Sequence, residues 1–186
     1  MNLPNKLTII RAIMIPFFLI AMLWSAIPYG NWVALAIFGL ASLTDMLDGK
    51  IARKYNMITN FGKFMDPLAD KLLVCSALIA FVDLGRIPCW IVIIIIAREF
   101  IISGFRLVAA NNGIVIAAGI WGKMKTAEQM VMICILLADF GSIFPTAATP
   151  IHLFENILIY LSLILTLISL WDYLVHNKEV LSENNK

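Results

Sequence analysis

The 186 residues are 61% hydrophobic and only 14% charged, with a mean hydropathy of +0.91 and a net charge of +2. A soluble domain of this length has no use for so much apolar surface, and three isolated cysteines argue against a disulfide-stapled secreted scaffold or a zinc site. The composition points to an all-α integral membrane protein with a single domain over residues 1–186, and nothing in the charge suggests a nucleic-acid partner.

Met1 to Lys6 is too short for a targeting sequence, and the apolar run after it is too long for a signal-peptide core, so residues 7–26 are predicted as a retained first span. A span needs about 20 apolar residues. Further candidates at 32–48, 64–82, 88–110, 121–138 and 153–174 bring the expectation to six transmembrane helices. The turns at 28–31, 83–88 and 139–150 carry the Pro and Gly of interfacial loops. Gly49 is expected to close the second span. Around Pro67 two readings stand: Asp66 caps a helix whose first residue is Pro67, or the helix starts near Asn60 and Pro67 kinks it. Of the 14 Lys and Arg residues, Arg86 alone falls at the face opposite the N-terminus and the 49–63 loop. The positive-inside rule then makes both termini and the 45–70 stretch cytoplasmic. His152 and His176 fall at opposite membrane faces and cannot share a metal.

The 45–70 stretch, DMLDGKIARKYNMITNFGKFMDPLAD, sets four carboxylates in an otherwise oily chain. Asp45 and Asp48 are three apart and Asp66 and Asp70 four apart, so each pair shares one face of a helix. An aspartate at the bilayer centre costs about 2.5–3.5 kcal/mol, and four would cost on the order of 10 kcal/mol, so the cluster is expected to line a wet cavity near the interface. Carboxylates are hard ligands that favour Mg²⁺ or Mn²⁺, and two such ions would balance four negative charges. A two-metal site suits phosphoryl transfer, with Arg53, Lys54 and Lys63 placed to hold a pyrophosphate and Gly49 and Gly62 leaving room for it. One carboxylate, with Asp70 the candidate, would take a proton from an attacking hydroxyl. Two other readings of the same residues are an ion-paired network with Lys50, Arg53, Lys63 and Lys71, and the ion sites of a divalent-cation transporter.

Asp45, Asp48, Gly49, Ala52, Arg53, Gly62, Asp66 and Asp70 read as DxxDGxxAR, eight residues, GxxxDxxxD. This pattern resembles the complete signature of the CDP-alcohol phosphatidyltransferase family. The resemblance implies a six-helix membrane enzyme, usually a homodimer, in which Asp45, Asp48, Asp66 and Asp70 hold two Mg²⁺ or Mn²⁺ ions. It also implies Asp70 as the base and Gly49, Ala52, Arg53 and Gly62 against the CDP moiety. The segments NLPNKLTIIR, AREFIISGFR and GKMKTAEQ are similar to their counterparts in bacterial members that use CDP-diacylglycerol and glycerol 3-phosphate. Members with inositol phosphate, serine or phosphatidylglycerol as acceptor are the alternative. The implied reaction releases CMP, at the cytoplasmic face of a bacterial inner membrane.

An acceptor carrying a phosphate calls for a second basic pocket. Arg98 and Arg106 lie two turns apart in the fourth span, and Lys123 and Lys125 open the fifth, so these four are expected to bind it. Arg98 lies deep, after the run from Trp90 to Ala97, and needs Glu99, Asp70 or a phosphate. For Lys123, snorkelling to the interface is an equal reading. Asn5 and Thr8, at the start of the first span, are placed near the nucleotide, with helix capping the alternative for Asn5.

Overall fold

The computed structural model describes the backbone of residues 3–54, 60–111, 116 and 119–177, and the side chains of these outside 3–7, 45–54, 60–67, 70 and 110–111. Among the described residues there are helices and turns and no strand: α1 (Leu3–Leu23), α2 (Gly30–Lys54), α3 (Asn60–Asp83), α4 (Cys89–Asn111), α5 (Ile120–Ala138), α6 (Phe140–Ile143), a 3-10 turn at Pro145–Ala147, and α7 (Ala148–His176). The chain divides into two compact units, Met1–Ile87 with Leu136–Asp139, and Pro88–Ile135 with Phe140–Lys186.

In the first unit α1 packs along both α2 and α3. Its buried stripe is Thr8, Arg11, Ile15, Phe18 and Met22, a helical spacing, and the helices it packs along bury small residues, Ala34 and Ala41 on α2 and Ala69 and Ala77 on α3. Small side chains let the backbones approach where lipid supplies no hydrophobic push. Phe18 and Phe38 close the middle, ring centres 6.1 Å apart. The α1–α2 hairpin is tight enough to require glycine at position 30, because a Cβ there would lie 2.3 Å from the carbonyl oxygen of Ala21. At the same end Arg86 Nη1 donates to Asp139 Oδ1 at 2.9 Å, and Asn31 Nδ2 donates to Asp139 Oδ2 at 3.4 Å. The basic residue that the charge pattern set apart thus has a local counter-ion.

One expectation changes, and one of the two readings at Pro67 is decided. Gly49 does not end α2, which runs on to Lys54. A single glycine costs a helix only about 1 kcal/mol, and Ala52, Arg53 and Lys54 favour continuing it. The helix α3 begins at Asn60, so Pro67 is an interior residue and Asp66 is not its cap.

In the second unit α4 packs against α7, and α6 and the 3-10 turn fold onto the start of α7. The expected turn at 139–150 is largely helical, with Pro145 opening the 3-10 turn and Pro150 in the first turn of α7, where a missing N–H costs nothing. At 29 residues α7 is about 43 Å long. It carries one buried polar stripe, Ser162, Thr166, Ser169 and Tyr173, in an otherwise apolar sequence. The edge of Phe105 meets Tyr173 at 5.9 Å. His152 pairs with buried Glu155 at 3.0 Å near the start of α7, and His176 with Asp172 at 3.2 Å near its end.

The outward faces are apolar. Ile10, Ile13, Phe17 and Ile20 on α1, Ile93 and Phe100 on α4, and Leu153, Ile157 and Ile164 on α7 are all exposed. Surfaces of this kind on a soluble monomer would aggregate, and they fit lipid. Among the described residues two helical stretches, Ile120–Ile143 and Pro145–His176, are long and apolar enough to cross a membrane, with mean hydropathies of 1.4 and 2.0. Thr8–Leu23 and Gly30–Thr44 are shorter apolar helices. α4 is 23 residues long, but Arg98, Glu99 and Arg106 interrupt its apolar run.

Candidate active site

The four motif aspartates fall on two continuous helices. Along α2, Asp45, Asp48, Gly49 and Ala52 occupy i, i+3, i+4 and i+7, and along α3, Gly62, Asp66 and Asp70 occupy i, i+4 and i+8. Each set is one stripe of its helix, and continuing α2 past Gly49 brings Ala52 onto the first. Asp48 lies six residues before the end of α2 and Asp66 six after the start of α3, so the pairs stand at similar depths from the connection. The helices α2 and α3 touch. The side chains of Asn5, Asp45, Asp48, Gly49, Ala52, Arg53, Gly62, Asp66 and Asp70 lie outside the described residues. The donor set that the sequence supplies, carboxylates without Cys or His, fits Mg²⁺ or Mn²⁺ and does not suit zinc. Among the described residues no group of three or more His, Cys, Asp or Glu side chains gathers elsewhere.

Thr8 and Arg11 are fully buried on α1. Counting at 1.5 Å per residue from the close approach of Ala21 and Gly30, Thr8 stands about level with Leu43, just before Asp45. Its position is thus at the motif end of the hairpin.

The second unit holds a cavity of about 450 Å³ between α4 and α5, lined by Arg98, Glu99, Ser103, Arg106, Lys123 and Thr126 among others. Arg98, Arg106 and Lys123 bring three cations to it, and Glu99 is the one acidic side chain among the described residues that line it. Arg98 is nearly buried and held from two sides: Nη1 donates to Glu99 Oε1 at 3.0 Å, and Nη2 donates to Ser169 Oγ of α7. A Cβ at Gly122 would sit 3.6 Å from Nη2 of Arg98, an ordinary van der Waals contact, so α5 passes close to the guanidinium here. Arg106 stacks over the Tyr173 ring at 5.9 Å, a cation–π contact that fixes its direction.

Lys125 does not line this cavity. It is 1% exposed, and its Nζ donates to the same Oε1 of Glu99 that Arg98 uses. A lysine so deep keeps its charge only with a counter-ion, and Glu99 supplies one. The sequence offers Glu99 as a partner for Arg98 and does not single out Ser169. The available signal for Ser169 was its place in the helically spaced hydroxyls of α7.

A family model described as CDP-alcohol phosphatidyltransferase matches residues 1–168. The chain belongs to that family. It is 42% identical over 195 residues to the CDP-diacylglycerol--glycerol-3-phosphate 3-phosphatidyltransferase of Bacillus subtilis (strain 168), covering 99% of both chains. It is 40% identical over 188 residues to the protein of the same name from Haemophilus influenzae, covering 98% of this chain and 97% of that one. A probable phosphatidylglycerophosphate synthase of Mycobacterium tuberculosis is 38% identical over 175 residues, 92% of this chain and 79% of that one. Membership makes this CDP-alcohol phosphatidyltransferase a transferase of phospholipid biosynthesis, and the apolar helices accord with a membrane enzyme.

Proposed function

We propose that this chain moves the phosphatidyl group of CDP-diacylglycerol onto glycerol 3-phosphate, forming phosphatidylglycerophosphate and CMP. The observation that carries this reading is its likeness, over nearly its whole length, to relatives whose names state that reaction. The cavity with three cations is of the chemical kind that a phosphate-bearing acceptor needs, and serine carries no phosphate.

Arg98, Arg106 and Lys123 bind the acceptor phosphate through charge-assisted hydrogen bonds, and Lys125 acts one layer back by holding Glu99. Asn5, Thr8, Gly49, Ala52, Arg53 and Gly62 receive the CDP moiety, the glycines and alanine giving close access to the backbone. Asp45, Asp48, Asp66 and Asp70 would hold two Mg²⁺ or Mn²⁺ ions, which when bound supply positive charge to the phosphate oxygens. Asp70 accepts the proton of the acceptor hydroxyl as that oxygen bonds to the lipid-side phosphorus. The bond from that phosphorus to the bridging oxygen breaks, and CMP departs with the electron pair. CMP is already a stable phosphomonoester anion, so no general acid is required.

In this reading the chain is one catalytic domain with six spans. It sits in a bacterial cytoplasmic membrane as a homodimer, with both termini and the active site at the cytoplasmic side. The test is CMP release by the purified protein in lipid–detergent micelles. Turnover should require CDP-diacylglycerol and glycerol 3-phosphate together, stop on chelation and return with Mg²⁺ or Mn²⁺. Faster turnover with inositol phosphate or serine would overturn the acceptor assignment.

A further inference from the structure

A carboxylate inside an anion-binding cavity weakens that cavity's attraction for phosphate, so Glu99 needs a reason to be there. Half of it is visible. Oε1 alone receives both Arg98 Nη1 and Lys125 Nζ, which ties both cations to this carboxylate. Oε2 has no hydrogen bond among the described residues, although the side chain is 21% exposed and lines the cavity. The two lining hydroxyls are otherwise engaged: Ser103 Oγ donates to the Glu99 carbonyl oxygen at 2.5 Å, and Thr126 Oγ1 to that of Gly122 at 2.9 Å. Among the described residues that line the cavity, the strongest open acceptor beside the three cations is therefore Glu99 Oε2.

We infer that Glu99 is a specificity-determining residue, whose Oε2 accepts a hydrogen bond from the middle hydroxyl of a glycerol phosphate acceptor while the cations hold its phosphate. This rests on the proposed reaction. Glycerol 3-phosphate has two free hydroxyls; the terminal one attacks phosphorus, and the middle one, next to the phosphate-bearing carbon, is the group a cavity must read to know a glycerol phosphate from any other alkyl phosphate. A site that engages a substrate hydroxyl rejects the analogue lacking it, because its own polar group is then left unpaired.

The test compares glycerol 3-phosphate with 3-hydroxypropyl phosphate, which keeps the phosphate and the terminal hydroxyl and lacks the middle one. In the unaltered enzyme kcat/KM should favour glycerol 3-phosphate by roughly tenfold or more, as loss of a hydrogen bond to a charged group gives. In Glu99→Gln that ratio should fall severalfold, whereas a residue that merely props Arg98 would lower both substrates alike. Should Glu99→Gln fail to accumulate, Glu99→Asp keeps the charge near Lys125 while withdrawing the acceptor, and the ratio should fall there too. A ratio near one in the unaltered enzyme, or one that no Glu99 variant moves, overturns the inference and leaves the reaction standing. Absence of turnover with glycerol 3-phosphate overturns both.

Discussion

The ion triad of Arg98, Glu99 and Lys125 makes an asymmetric prediction about stability. In Glu99→Ala, Lys125, 1% exposed, loses the ion pair and hydrogen bond that it makes with Glu99. Removing one partner of a buried pair costs about 3–5 kcal/mol. In Lys125→Met the buried charge itself disappears, and Glu99 keeps both its partial exposure, 21%, and its 3.0 Å bond from Arg98. The loss is then one charge-assisted hydrogen bond partly offset by an apolar side chain of similar length, about 1–2 kcal/mol. At this chain length roughly 2–4 °C of melting temperature accompany each kcal/mol. Thermal unfolding of the detergent-solubilised protein should therefore fall about 2–8 °C for Lys125→Met and at least about 6 °C for Glu99→Ala. Adding Lys125→Met to Glu99→Ala should recover part of the loss, since a buried charge that has lost its Glu99 pair is removed. If Lys125→Met costs as much as Glu99→Ala, or the pair of changes costs the sum of the two, the bond to Glu99 is not a main support of the buried Lys125 charge.

Asp70→Asn should preserve the melting temperature within a few degrees and lower CMP release by about a hundredfold or more, the usual loss with a general base. Normal turnover in that variant would remove Asp70 from the mechanism. Arg98→Ala should raise the KM for glycerol 3-phosphate by about tenfold or more and that for CDP-diacylglycerol much less; equal effects would argue against an acceptor role. Gly30→Ala places a methyl 2.3 Å from the Ala21 carbonyl oxygen, so the hairpin must open. A loss of about 1–3 kcal/mol is expected, read as a lower melting temperature with the KM for glycerol 3-phosphate unchanged. An unaltered melting temperature would show that the α1–α2 approach is looser than described.

The legible features were those written within one helix. Asp45, Asp48, Gly49 and Ala52 declare a stripe by their spacing alone, and a helix continuous through Gly49 joins the last of them to the rest. Arg98 and Arg106 declared a basic face of α4 in the same way, and both line the cavity. What could not be read were bonds between distant segments. Ser169 meets Arg98 across 71 positions, and Arg86 meets Asp139 across 53. No local pattern encodes such a pair, because any of several hydroxyls or carboxylates would satisfy the same rule. Lys125 shows the limit most clearly. It lies two residues from Lys123 in the sequence, yet Lys123 is exposed at the cavity and Lys125 is buried behind it. Residues two apart on a helix point about 200° from each other, so the pair was never going to act as one patch.

That divergence bears on how the cavity selects. Lysines and arginines alone would bind any phosphate, including the headgroup phosphates that surround a membrane enzyme in far greater number than a soluble acceptor. Setting Glu99 among the cations lowers the attraction for every anion and adds an acceptor that a ligand with a hydrogen-bond donor, such as a hydroxyl, can use. Discrimination arises as much from the cost imposed on wrong ligands as from contacts made to the right one. A cavity arranged in this way would give up some affinity for glycerol 3-phosphate in order not to be filled by lipid phosphate. Replacing Glu99 should then strengthen inhibition by inorganic phosphate and by alkyl phosphates while weakening use of the acceptor. Opposite movement of those two quantities would separate selection by Glu99 from simple support of Arg98.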